Sequence, residues 1–141
     1  MTVCIDTNVL LGFFNNEPDK VESCTALFQF LFTKRIKSVI ATITLLELAA
    51  ILSNTDLYSE AERIIKSIES LPHFSIAKFR NGWVLRTAIL KKTNQLAIAD
   101  AIILSTAIET RCSYLITFDV DFMQIGEIQV LTPQNFLELH N

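Results

Sequence analysis

The chain has 141 residues, half of them hydrophobic, and it carries a formal net charge of −3 with three glycines and three prolines. Its length fits one domain with a sizeable core, and its composition excludes disordered and collagen-like chains. The negative net charge provides no general attraction to nucleic acid, so such a partner would have to meet a local basic surface.

The cysteines and histidines form no pattern typical of a zinc site. Cys4, Cys24 and Cys112 are far apart in the sequence and contain no C-x-x-C pair, and His73 and His140 are isolated. The cysteines therefore favour free thiols in a reducing compartment. No basic leader precedes the first strand, and no apolar run reaches the ~18 residues that cross a bilayer. We expect a cytoplasmic protein that does not associate with membranes.

The apolar spacing predicts strands that alternate with helices along the whole chain. The predicted strands cover 3–5, 38–42, 74–77, 114–117 and 128–131. A helical turn is predicted over 7–14, and helices from Pro18 to about Lys34, over 59–70, over 78–91, from Asp100 to about Arg111 and after Pro133, with a loop over 92–98. A further helix starts at the S/T-x-x-E capping box of Thr44 and Glu47. Because the strands are continuously apolar, they indicate a mostly parallel sheet covered on both faces. We expect an α/β/α sandwich, with residues 1–141 in a single domain.

Four acidic residues stand at the ends of these elements. Asp6 follows the first strand, and Glu47 lies in the helix after the second strand. Asp100 interrupts a long apolar run, and Asp119 follows the predicted strand over 114–117. In open parallel sheets, ligands bind outside the carboxyl ends of the strands. Clustered carboxylates repel one another unless a cation lies between them, and their hard oxygens favour Mg²⁺ or Mn²⁺.

Each acid also has a structural alternative. Asp6 can cap the helical turn that follows it, and Glu47 can be only the capping-box partner of Thr44. Asp119 and Asp121 can form an Asx turn, although an extended backbone would direct both side chains to the same side. The acid inside the apolar run is costly to bury alone, so it must be paired, hydrogen-bonded or a ligand.

Four pieces of the sequence together resemble the PIN-domain family, and especially the VapC-type toxins of bacterial and archaeal toxin–antitoxin pairs. The pieces are CIDTNVLL at 4–11, TITLLEL at 42–48, ADAIILSTAIE at 99–109 and LITFDVDF at 115–122. They occur in the family's order and with its separations, and they span nearly the whole chain.

The resemblance implies a metal-dependent endoribonuclease that cleaves single-stranded or structured RNA. The residues that match the family's metal-binding and catalytic acids are Asp6, Glu47, Asp100 and Asp119, with Asp121, Thr7, Asn8 and Thr117 in supporting positions. It further implies Mg²⁺ or Mn²⁺ as cofactor and an antitoxin protein as a partner. The alternatives are a stand-alone RNA-processing nuclease and a non-catalytic PIN-like interaction scaffold. A haloacid-dehalogenase-type phosphatase would need an aspartate where Asn8 stands.

One stretch of the chain is locally basic. No acid occurs between Glu69 and Asp100, whereas five basic residues do: Lys78, Arg80, Arg86, Lys91 and Lys92. Of these, the candidates for contacts with RNA phosphates are Arg80, Arg86, Lys91 and Lys92. Trp83 is a candidate for stacking on a base. The alternatives are a solvated helix face for the basic residues and a core or dimer-interface position for the indole.

The apolar fraction favours an oligomer. Phe28, Phe30, Leu31 and Phe32 cannot all face inward from one helix, because successive residues are about 100° apart. A homodimer is the simplest way to cover the remainder, since two-fold pairs are the commonest oligomers.

Overall fold

The structure, a computed structural model that describes residues 1–53 and 58–141, alternates strands with helices. Its elements are β1 (Thr2–Ile5), α1 (Thr7–Phe14), α2 (Val21–Thr33), β2 (Lys37–Ala41), α3 (Thr42–Ser53), α4 (Tyr58–Glu69), β3 (Phe74–Ala77), a 3₁₀ turn (Asn81–Trp83), α5 (Val84–Asn94), α6 (Ile98–Glu109), β4 (Tyr114–Ile116), a second 3₁₀ turn (Val120–Phe122), β5 (Gln129–Leu131) and α7 (Pro133–His140). None of the helices within the described residues is long and apolar enough to cross a bilayer.

The five strands form one sheet in the order β3-β2-β1-β4-β5. Every pairing between them is parallel, with Cys4 of β1 opposite Val39 of β2 and opposite Leu115 of β4. The chain builds the sheet outward from β1 on one side and then continues with β4 on the other. The point of reversal, between β1 and β4, is where open parallel sheets bind ligands.

Helices cover both faces of this sheet, which confirms the expected α/β/α sandwich. Val3 and Ile5 of β1 enter a core shared with α1, α2, α3, α4 and α7, whereas Cys4 enters the opposite core, shared with α5 and α6. This alternation follows from the two-residue period of a strand. Because both faces are buried, β1 reads as an unbroken apolar run.

The start of α2 differs from the sequence-based expectation. Pro18 does not begin the helix, which starts at Val21. Residues 18–20 form a turn instead, in which the backbone N–H groups of Lys20 and Val21 both donate to the carbonyl of Glu17, at 2.9 and 2.8 Å. This turn redirects the chain from α1 to α2, and an ion pair between Lys20 and Glu17 at 2.7 Å stabilises it.

The basic helix also begins later than expected. Residues 78–80 are not helical, and α5 starts only at Val84, after the 3₁₀ turn. Asn81 and Gly82 are weak helix formers, which accounts for the delay. The same helix continues into the predicted loop and ends where Gln95 adopts a left-handed conformation, with φ of 54°.

The phenylalanines of α2 are mostly covered within the chain itself. Phe28 and Leu31 are buried, and Phe30 packs edge-to-face on Phe136 of α7, with ring centroids 6.0 Å apart. Only Phe32 is exposed, and it lies against Phe74. The expectation that these side chains cannot all face inward therefore holds for Phe32, while α7 covers Phe30 within the chain itself.

Candidate active site at the carboxyl edge of the sheet

Asp6 is buried at the reversal point of the sheet and caps α1. Its Oδ1 accepts a hydrogen bond from the backbone N–H of Thr7 at 2.7 Å, and its Oδ2 accepts one from the hydroxyl of Thr117 at 2.6 Å. Burial raises the pKa of Asp6 to about 6; these hydrogen bonds oppose the rise, and the charges of Asp100 and Glu47 add to it. Asp6 therefore caps α1 as the alternative predicted, and this hydrogen bond fixes its carboxylate at the carboxyl edge of the sheet.

Thr117 connects Asp6 to the loop that carries Asp119. Its buried hydroxyl accepts hydrogen bonds from Asn8 Nδ2 at 3.1 Å and from the backbone N–H of Asp119 at 2.9 Å. Asn8 Oδ1 in turn accepts a hydrogen bond from the backbone N–H of Phe118 at 3.1 Å. Two of the predicted supporting residues, Asn8 and Thr117, therefore hold the end of β4 against the start of α1.

Glu47 faces Thr7 rather than the start of its own helix. Because α3 begins at Thr42, Thr44 lies inside the helix and the predicted capping box is wrong. The hydroxyl of Thr7 donates to Glu47 Oε1 at 2.7 Å and lies 3.2 Å from the hydroxyl of Thr44. Thr44 is fully buried beside Thr7. The sequence does not indicate this position among the acids, because the spacing of Thr44 to Glu47 equally fits a helix cap.

Asp100 lies in the first turn of α6, among the other acids. Burial and, to a smaller extent, the negative charges of Asp119, Glu47 and Asp121 together raise the pKa of Asp100 to about 6. Asp100 also acts on the pKa of Asp6. The structure therefore brings the four predicted acids into one electrostatically coupled group at the carboxyl edge of the sheet.

The backbone after Asp119 turns instead of staying extended. Asp119 Oδ1 accepts a hydrogen bond from the backbone N–H of Asp121 at 2.9 Å and caps the 3₁₀ turn. The turn brings Phe122 into the core beside α6, where it is fully buried. The Asx-type alternative is correct for Asp119, while Asp121 is exposed and still close enough to raise the pKa of Asp100.

A family comparison identifies this arrangement. The model of the PIN domain matches residues 3–128. The chain belongs to the PIN-domain family. Curated proteins provide no match to it.

Solved structures agree with this PIN-domain assignment. A VapBC2 complex from Rickettsia felis, bound to a DNA fragment from its promoter, contains a chain that is 20% identical; the match covers 94% of this chain and 98% of that one, with a TM-score of 0.76. A toxin–antitoxin complex from Klebsiella pneumoniae contains a chain that is 25% identical, with 93% and 97% coverage and a TM-score of 0.69. The expected resemblance to VapC-type PIN domains is confirmed in the fold.

The acids of this PIN domain fit a hydrated divalent metal ion. PIN-domain nucleases typically use such ions, and the donors present here are hard carboxylate oxygens. Within residues 1–53 and 58–141, no group of three or more His, Cys, Asp or Glu side chains is arranged to hold an ion. Mg²⁺, however, retains several waters and binds through one or two carboxylates. Burial is the main cause of the raised pKa values of Asp6 and Asp100, and the neighbouring carboxylates add a repulsion that a cation would relieve.

The predicted basic residues are divided between two parts of the structure. Lys91 and Lys92 lie in the last turn of α5 and are exposed. Arg86 Nη1 donates to Glu109 Oε1 at 3.1 Å, at the far end of α6. Nine residues of helix separate Glu109 from Asp100, which is about 14 Å. Arg86 is therefore engaged in an ion pair far from the acids.

Two cysteines that are distant in sequence are neighbours in the fold. Cys4 is buried and Cys112 half-buried, and their thiols interact. This interaction raises the pKa of Cys4 and lowers the pKa of Cys112. Nothing in the sequence indicates the contact, because it depends on how the α6–β4 turn meets β1.

We expect Asp6→Asn to stabilise the protein in metal-free buffer at pH 7. A carboxyl whose pKa rises from 3.8 to about 6 on folding binds a proton only in the folded state between these values. The free energy of unfolding of the wild-type protein therefore increases as pH falls from about 6 to about 4, and this stabilisation is absent at neutral pH. The gain of the variant should reach at most roughly 3 kcal/mol at pH 7 and vanish near pH 4.

Urea denaturation across this pH range measures the effect. The control is Asp19→Asn, which replaces an exposed aspartate outside the coupled acids. A stability difference between wild type and Asp6→Asn that does not change with pH would contradict the assigned pKa of Asp6.

Proposed function

We propose that this PIN domain is a metal-dependent endoribonuclease. The observation that supports the proposal is the electrostatic coupling of Asp6, Glu47, Asp100 and Asp119 at the reversal point of a parallel sheet. Carboxylates that repel one another in the folded state are maintained at a cost in stability, which a bound cation offsets.

The coupled acids would hold Mg²⁺ or Mn²⁺, with Asp6 and Asp100 as the principal ligands. When bound there, such an ion would supply positive charge for a scissile phosphate and would lower the pKa of a water molecule. The chain's own contribution is to fix its carboxylates in advance. Thr7 holds Glu47, Thr117 holds Asp6, and both contacts are hydrogen bonds shorter than 2.8 Å. Such fixed polar groups need no rearrangement when charge develops.

We further propose that the protein is the toxin of a toxin–antitoxin pair and acts in the cytoplasm. Support comes from the similar chains in the Rickettsia felis and Klebsiella pneumoniae structures, which were solved within toxin–antitoxin complexes. The matches cover nearly all of this chain and of those chains. An antitoxin protein is therefore the expected partner.

We expect purified protein to cleave mixed RNAs in the presence of Mn²⁺ or Mg²⁺ and to lose this activity in EDTA. Asp100→Asn should reduce cleavage by roughly 100-fold or more, because it removes a metal-binding carboxylate. Gel electrophoresis of the RNA measures the effect. Activity that persists undiminished in EDTA would exclude the metal mechanism, and a folded protein without any cleavage would favour the interaction scaffold.

We expect Asp119→Asn to reduce activity more than Asp121→Asn. Asp119 is half-buried in the loop after β4 and donates its backbone N–H to the hydroxyl of Thr117, whereas Asp121 is exposed. Initial cleavage rates of the two variants, compared at equal folded fraction, test the order. If Asp121→Asn were the more damaging change, the two assignments would have to be exchanged.

We also propose a homodimer. Phe32 of α2 is 36% exposed, but α5 carries three more strongly exposed apolar side chains, Val84 at 54%, Leu85 at 74% and Ile89 at 56%. Clustered exposure of this kind is typical of interaction surfaces.

Light scattering at micromolar concentration should give twice the mass of one chain. Leu85→Glu should reduce it to the monomer mass and Leu139→Glu on α7 should not; a wild-type monomer would contradict the homodimer.

A further inference from the structure

One face of the sheet next to the edge strand β3 is left open by the helices. Two adjoining cavities lie there, of about 830 Å³ and about 520 Å³, and both are lined by Ala77 of β3 and Thr110 after α6. We call the pair of cavities the β3 groove. It exists because α5 starts only after the 3₁₀ turn, so residues 78–83 border the sheet instead of covering it.

The β3 groove is positively charged although the chain is acidic. Lys78 and Arg80 line the larger cavity and Lys37 the smaller one. None of the ion pairs within the described parts of the chain involves these three residues. The acid that lines the groove, Glu109, is paired with Arg86. The groove therefore presents free cations and a neutralised carboxylate, which suits a polyanion.

An aromatic side chain lies among these charges. Trp83 is half-buried in the wall of the larger cavity, and the guanidinium of Arg80 lies 5.8 Å from the centre of its ring. Phe79 packs edge-to-face on the same indole, with centroids 6.0 Å apart. A basic groove with an aromatic side chain and a stacked arginine is the combination by which proteins bind single-stranded nucleic acid without sequence preference.

The β3 groove leads toward the acids. It begins at the edge of the sheet away from the acids, where Lys37, His73 and Glu109 lie, and it extends to the carboxyl end of β3 at Ala77. There the hydroxyl of Thr42 donates to the carbonyl of Ala77 at 3.0 Å, and Thr42 is the first residue of the helix that carries Glu47. Two strand spacings, about 10 Å, separate β3 from β1. A nucleic acid strand in the groove would thus leave it at the edge where the acids lie.

We propose that the β3 groove binds single-stranded RNA through Lys37, Lys78, Arg80 and Trp83 and directs it to the carboxyl edge of the sheet. This inference rests on the proposed ribonuclease function, for which the groove supplies a second contact with the substrate. Phosphates contact the three cations, and a base stacks on the Trp83–Arg80 pair. The contacts carry no base-specific hydrogen bonds, so the groove contributes affinity and not sequence specificity.

Trp83 is the only tryptophan of the chain, so its fluorescence reports directly on the groove. Titration with a short oligouridine in EDTA, where cleavage does not interfere, should give a saturable change in the emission. The variant Lys78→Gln/Arg80→Gln should weaken binding about tenfold or more. It should also reduce the slope of log K against log salt by about 1.4, because each phosphate contact to a single strand contributes about 0.7.

The matched control is Arg63→Gln/Lys66→Gln, which removes the same charge from exposed positions on α4. It should bind oligouridine like wild type. Equal weakening in both double variants would reduce the effect to net charge and overturn the proposal. A change of emission that depends on protein concentration alone would also overturn it, since a second copy of the chain would then cover the groove.

The two proposals fail separately. RNA cleavage without any change in Trp83 emission on RNA binding would remove the β3 groove and leave the nuclease intact. Saturable binding in the groove by a protein that cleaves no RNA would remove the nuclease and retain the groove as an RNA-binding surface.

Discussion

The buried carboxylate of Asp6 is the constraint on which the site depends. Ionised, it is costly to bury at the end of β1, so the fold supplies a helix N-terminus and the hydroxyl of Thr117 to accommodate it. These partners only partly offset the burial, and its pKa stays raised. The start of α1, the pairing of β4 with β1 and the loop at Asp119 each provide or hold one of the partners of this side chain.

The acids could be predicted from the sequence because strand ends and sheet topology are local and general rules. Asp6 and Asp119 each directly follow, or nearly follow, an apolar strand, and parallel pairing necessarily opens both on the same edge. Asp100 is recognisable as a charge that interrupts an apolar helix. The sequence places Glu47 near the start of a helix, but the capping box with Thr44 is wrong. The helix starts at Thr42, so both residues lie inside it.

Features that depend on packing between distant segments could not be predicted. The contact of Cys4 with Cys112 depends on how the turn after α6 meets β1. The cover that Phe136 gives to Phe30 and the β3 groove depend on how helices pack on their neighbours. The composition of residues 78–92 shows that this stretch is basic. Which of its arginines forms an ion pair depends on where α5 starts: with the start at Val84, Arg86 pairs with Glu109, whereas Arg80 lies before the helix. Propensity alone leaves such a start uncertain by several residues.

The hydrogen bond between Asp6 and Thr117 joins residues that are 111 positions apart in the chain. Closing so long a segment carries a large entropic cost before the contact returns any stability, and folds dominated by such contacts form slowly. Since ribosomes synthesise the amino terminus first, the carboxylate of Asp6 is not held in place until Thr117, 111 positions later, has been synthesised. The carboxyl edge of the sheet therefore assembles only after β4 has been synthesised, and a translation product truncated before β4 lacks an organised set of acids.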